Sequence, residues 1–85
     1  MSDQSKAEAA LADEFIDTFG MLCPLPVLKA RKRLGGMAQG QVLRVLASDP
    51  AAIVDIPHFC AQSGHAFVGT EQGENGGQIY VIRKG

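Results

Sequence analysis

With 85 residues, 46% of them hydrophobic and 20% charged, the chain is sized for one domain around one modest core. Its formal net charge of -1 supplies no overall pull towards nucleic acid. No apolar run approaches the roughly 20 residues that a bilayer span requires.

The N-terminal stretch MSDQSKAEAALADE has neither a basic start nor an apolar centre. No secretion signal is read there, and the expected location is cytoplasmic. In that compartment the two cysteines are expected to stay reduced. Cys23 and Cys60 form no C-x-x-C pair, and His58 and His65 add no zinc spacing, so neither a metal nor a cofactor is expected.

In chain order, residues 1–12 are polar and alanine-rich and read as a flexible tail. Residues 13–85 are left as the single domain. EFIDTF, Glu14 to Phe19, mixes aromatic, β-branched and polar residues and predicts a short strand stopped by Gly20. From Leu25 to Leu34 the spacing turns helical. Val27, Ala30 and Leu34 share one stripe while Lys29, Lys32 and Arg33 face away, and Gly35-Gly36 ends the helix. Gln41 to Ala47 is a near-continuous apolar strand of the kind buried inside a sheet.

Asp49 is placed to cap a second helix, with Pro50 at its first position. Ile53, Ile56 and Cys60 are assigned to its core stripe. Pro57 lies deep enough to predict a break near Asp55, which would cap a second segment. Gly64 closes the element. HAFVGTEQ and QIYVIRK are strands joined by GENGG, where Asn75-Gly76 signals a hairpin. The order βαβαββ predicts an α+β, two-layer sandwich: a four-stranded mixed sheet with both helices on one face and a parallel first crossover.

The chemistry concentrates in GMLCPLPVL, residues 20 to 28. Cys23 is predicted as the N-cap of the first helix, with Pro24 at its first position, where a missing N–H costs nothing. Pro24 and Pro26 together remove two of the donors a first turn leaves free. The thiol then stands at the positive end of a helix on a stiff loop, a setting that favours thiolate. Apolar Met21, Leu22 and Leu25 oppose that effect, so the expectation is a modest net lowering of the Cys23 pKa. A lone cysteine is more commonly a small core residue. That reading is taken for Cys60, expected to remain protonated and unreactive, whereas a strand-to-helix junction places Cys23 at the surface. Neither histidine has a spacing that ties it to Cys23.

Residues IDTFGMLCPLPVLKARKRL, SDPAAIVDIPHFCAQSGH and the closing YVIRKG resemble the TusA/SirA-like family of small sulfur-carrier proteins. The resemblance runs from about Phe15 to Lys84. Its carrying motif is C-P-x-P, here Cys23-Pro24-Leu25-Pro26, with Asp17 and Gly20 preceding it at the family's spacing. Asp49-Pro50, Asp55-Ile56-Pro57, Phe59-Cys60 and Gly64-His65 follow in register.

The resemblance implies that Cys23 carries sulfane sulfur as a persulfide. A cysteine desulfurase or rhodanese-like protein would be the donor and another protein the acceptor, in tRNA thiolation, molybdenum-cofactor metabolism or sulfur oxidation. No direct contact with nucleic acid or membrane is implied.

Leu22, Leu25, Lys29 and Lys32 are assigned to an apolar and basic docking rim around the thiol. Two other readings stand beside the carrier. One is a thiol-independent regulatory or RNA-binding module, against which most of Phe15, Phe19, Phe59, Phe67 and Tyr80 sit at core-patterned positions. The other is a redox sensor acting through Cys23.

Overall fold

Alternation along the strands decides which face of the sheet is covered. The computed structural model describes residues 13–85; the tail expected over residues 1–12 lies outside the described residues. Its elements are β1 (Glu14–Thr18), α1 (Leu25–Gly35), β2 (Val42–Ala47), α2 (Ala52–Ser63), β3 (Ala66–Gln72) and β4 (Gln78–Arg83). The strand order is β1-β2-β4-β3. β1 runs parallel to β2, while β4 is antiparallel to both β2 and β3. This is the α+β sandwich that the sequence predicts.

Ile16 of β1, Leu43, Val45 and Ala47 of β2, and Tyr80 and Ile82 of β4 point to one side. There they meet Ala30 and Leu34 of α1 and Ala52, Ile56, Phe59 and Cys60 of α2. Leu34, Leu43, Ile56 and Ile82 are almost completely buried, and each such side chain stabilises the fold by about 1.5–3 kcal/mol. β2 lies between β1 and β4, which explains its near-continuous apolar run, interrupted only by Arg44. Thr18 is the one buried polar residue among those described. Its hydroxyl donates to the Leu46 carbonyl at 2.6 Å, which ties β1 to β2.

The hairpin forms as the Asn75-Gly76 pair predicts. Both residues have positive φ, 55° and 84°, and the Gly77 N–H returns to the Glu74 carbonyl, the pattern of a type I′ turn. Helix α1 stops at Gly36 and α2 at left-handed Gly64, φ 78°.

Four expectations are corrected. Helix α2 is continuous through Pro57. A single proline deletes one helical hydrogen bond, and the face formed by Ala52, Ile56, Phe59 and Cys60 holds the helix on the sheet across that gap. Ile53 is not on that face but 58% exposed. The N-cap of α2 is Ala51, with Asp49 two residues earlier and accepting the Ala51 N–H through Oδ1. Of the five aromatics, Phe15, Phe19 and Phe67 are exposed and only Phe59 and Tyr80 are core. Phe15 alternates with buried Ile16 and so points away from the helices, Phe19 lies beyond the end of β1, and Phe67 sits on edge strand β3.

Candidate functional site

Parallel pairing of β1 with β2 brings the segments that follow them to the same edge of the sheet. Such an edge, beyond the carboxyl ends of parallel strands, is where open α/β sheets place their sites. Here the two approaching segments are Phe19–Pro24, leading into α1, and Ser48–Ala51, leading into α2.

The first segment is pinned residue by residue. Asp17 accepts the Phe19 N–H at 2.9 Å. Met21 donates its N–H to the Thr18 carbonyl. Gly20 has φ +86°, a conformation that side-chain-bearing residues rarely adopt, and its N–H donates to Ser48 Oγ at 2.8 Å. The Cys23 N–H donates to Asp49 Oδ2 at 2.6 Å. Pro26 is buried within the first turn of α1. Asp17, Gly20, Pro24 and Pro26 thus all lie within the mount that presents Cys23.

The cap position differs by one residue from the sequence reading. Pro24 is the N-cap of α1, and Cys23 precedes it. Of the first-turn donors that remain, the Leu25 N–H is bonded to the Leu22 carbonyl at 2.9 Å and so is not aimed at the thiol. Instead, Cys23 Sγ–H donates to Asp55 Oδ2 at 2.9 Å, from the first turn of α2.

That contact reverses the expected titration. The hydrogen bond to the Asp55 carboxylate is the largest cause pushing the Cys23 thiol above its ordinary value, followed by partial desolvation and the negative charges of Asp55 and Asp49. A carboxylate accepting the proton favours the neutral thiol and repels the thiolate. The predicted lowering is overturned.

Cys60 behaves as predicted for a core thiol. It is 1% exposed, and burial pushes it up to about 11.

Cys23 stands at the mouth of an open groove of about 460 Å³ between the helices. Pro24, Val27 and Arg31 line one wall; Asp55, His58 and Phe59 line the other. Leu22 and Leu25 are exposed beside it, at 70% and 46%. Lys29 and Lys32 turn to a different depression, shared with Ile16 and Arg33. The basic side chain on the thiol's own groove is therefore Arg31. His65 is engaged elsewhere, accepting the Gly85 N–H at 3.0 Å.

Sequence reasoning did not assign Asp49, Asp55, His58 or Arg31 to the site. The signal available for the two carboxylates is topological: the loop and first helical turn that follow one parallel strand converge on the same edge as those that follow its neighbour. No three or more acidic, histidine or cysteine side chains group as a metal site among the described residues. None of their helices is long and apolar enough to cross a membrane.

Known proteins share this architecture. A family model described as Sulfurtransferase TusA matches residues 14–84. The sulfur carrier protein TusA of Allochromatium vinosum is 40% identical over 72 residues, covering 85% of this chain and 92% of that protein. The protein of the same name from Pseudomonas entomophila is 43% identical over 72 residues, covering 85% and 89%. A crystal structure of a SirA-like protein from Desulfitobacterium hafniense superposes with a TM-score of 0.74 at 26% identity, covering 85% of this chain and 97% of that one.

Proposed function

The chain belongs to the TusA sulfurtransferase family, and from that premise we propose that it is a sulfur carrier whose residues 13–85 present Cys23 as the persulfide-bearing residue. The observation that carries the reading is the mount. Cys23 is exposed, and its backbone is fixed by Asp49 on a loop pinned through the Gly20 N–H and stiffened by Pro24. Meanwhile the only other thiol, Cys60, is sealed in the core.

Loading is thiol exchange. The Cys23 thiolate attacks the sulfane sulfur of a donor persulfide. One S–S bond forms as the donor's S–S bond breaks, and the electron pair leaves on the donor's cysteine sulfur. The proton given up by Cys23 balances the one that the donor thiolate takes up, so no oxidant is consumed. Unloading repeats the step, with Cys23 as leaving group and an acceptor thiolate as nucleophile. An exposed Cys60 would compete by attacking the persulfide and releasing sulfide; its burial removes that route.

The donor in this reading is a cysteine desulfurase or rhodanese-like protein, and the acceptor is a protein serving tRNA thiolation, molybdenum-cofactor metabolism or sulfur oxidation. Leu22 and Leu25 supply an apolar contact beside the thiol. Lys29 and Lys32 extend the outward face of α1 as a basic patch for an acidic partner surface.

The test is intact mass spectrometry after incubation with a cysteine desulfurase and free cysteine. A gain of one sulfur atom on the wild type, absent from Cys23→Ser, is the expected result. A gain retained by Cys23→Ser, or none on the wild type with any desulfurase or rhodanese-like donor, overturns the reading.

A further inference from the structure

A carrier's exposed thiol meets small sulfur compounds as well as proteins. Small sulfane-sulfur donors such as inorganic polysulfides are anions, and they react with thiolate, not thiol. The surroundings of Cys23 bear on both properties.

Asp55 is the only side chain among the described residues that hydrogen-bonds Sγ. Asp49, on the loop before α2, adds a second negative charge through its contact with the Cys23 N–H. The cationic and titratable side chains facing the same groove are Arg31 from α1 and His58 from α2. Neither forms an ion pair with Asp55; the two salt bridges among the described residues lie elsewhere, at Arg33–Glu14 and Arg44–Glu71. The carboxylate facing the thiol therefore has no ion-pair partner among the described residues. Leu22, one residue from Cys23, and Leu25, two residues from it, are exposed beside the groove, at 70% and 46%. They make an apolar collar that a protein surface can cover and a small anion cannot.

We propose that Asp55 is a specificity-determining gate: its carboxylate keeps the Cys23 thiol closed to small anionic sulfur donors until a protein partner covers the collar and offers a cation to Asp55. This rests on the carrier reading above. The partner it fits carries a lysine or arginine close to its own reactive cysteine, within an otherwise apolar contact. Once that cation engages Asp55, the S–H loses its acceptor and the repulsion of thiolate falls. Direct contact of Asp55 with the reacting sulfur, not with a distant support, makes the gate chemically effective.

The experiment compares the full chain as wild type, Asp55→Asn and Asp55→Glu. Cys23 alkylation by neutral iodoacetamide is followed against pH, and sulfur loading from inorganic polysulfide is followed by intact mass. In the loading step Cys23 thiolate attacks a terminal sulfur, an S–S bond breaks, and the shortened polysulfide keeps the electron pair.

Asp55→Asn should shift the alkylation profile to lower pH and raise the neutral-pH rate about three- to tenfold. Polysulfide loading should rise by at least the same factor, and loading from a desulfurase by less. Asp55→Glu, which restores a carboxylate, should return both rates towards wild type. In wild-type protein, added salt should speed polysulfide loading more than iodoacetamide alkylation, a readout that needs no variant.

An Asp55→Asn alkylation profile superimposable on wild type, or no difference between Asn and Glu, overturns the gate. Faster alkylation of Asp55→Asn in a protein that takes no sulfur from any desulfurase supports the gate and overturns the carrier reading instead.

Discussion

The two cysteines place the same thiol in opposite surroundings. Cys60 is held protonated by burial beneath α2, up to about 11. Cys23 is exposed, and it is held protonated chiefly by one carboxylate. Burial can be relieved only by unfolding, whereas a hydrogen bond to an exposed carboxylate can be relieved by a single competing charge. The difference separates a thiol that is silent from one that is held in reserve.

The largest break in this comparison is loss of function. Cys23→Ser should abolish sulfur loading, while Cys60→Ala should still load, measured as the mass gain from a desulfurase. Next comes accessibility. In native protein Cys23 should alkylate at least on the order of a hundredfold faster than Cys60, because Cys60 reacts only through unfolded molecules. In denaturant the two rates should converge. Comparable native rates would remove the distinction.

Stability should divide the other way. Cys60→Ser leaves a hydroxyl in an apolar core and should cost about 1–3 kcal/mol in urea unfolding. Cys23→Ser should stay within about 0.5 kcal/mol of wild type.

Alkaline titration sharpens the same contrast. The folded state keeps the Cys60 proton up to about 11, against 9.0 for an ordinary thiol. The stabilisation linked to that proton is therefore whole below 9.0 and is lost as pH rises through about 11, on the order of 2 kcal/mol in all. Cys60→Ala should remove this alkaline loss. The smallest effect is expected at the outward basic patch of α1. Reversing the charges of Lys29 and Lys32 should slow transfer from a protein donor about threefold, through the association rate, and leave the urea midpoint unchanged. An unchanged transfer rate would remove these lysines from the docking surface.

Much of this was legible in the sequence because it is local. Helix α1, β2, the Asn75-Gly76 turn and the Gly64 cap each follow from residues within a few positions of one another. The placement of Cys23 at a strand-to-helix junction follows for the same reason. What the sequence hid is non-local. The thiol's partner is Asp55, 32 positions away, and in the linear reading that residue looked like a helix cap. Helix dipole arguments predicted a lowered thiol pKa because they count the donors of one helix and not the acceptors of its neighbour. Pro57 and Ile53 misled for a related reason. Local propensity marked a break, and a three-residue spacing marked a core stripe, but packing against the sheet decided both.

Register between β1 and β2, with Thr18 opposite Ala47, has one more consequence. It aligns two segments that are made separately and meet only when the strands pair. A slip of one residue would displace one segment by about 3.3 Å, more than the 2.9 Å contact between thiol and carboxylate could survive. In a nascent or misassembled chain, Cys23 is therefore an unguarded peptide thiol. The restraint on it arises at the moment the sheet closes, so completing the fold also sets the safety catch on its cargo position.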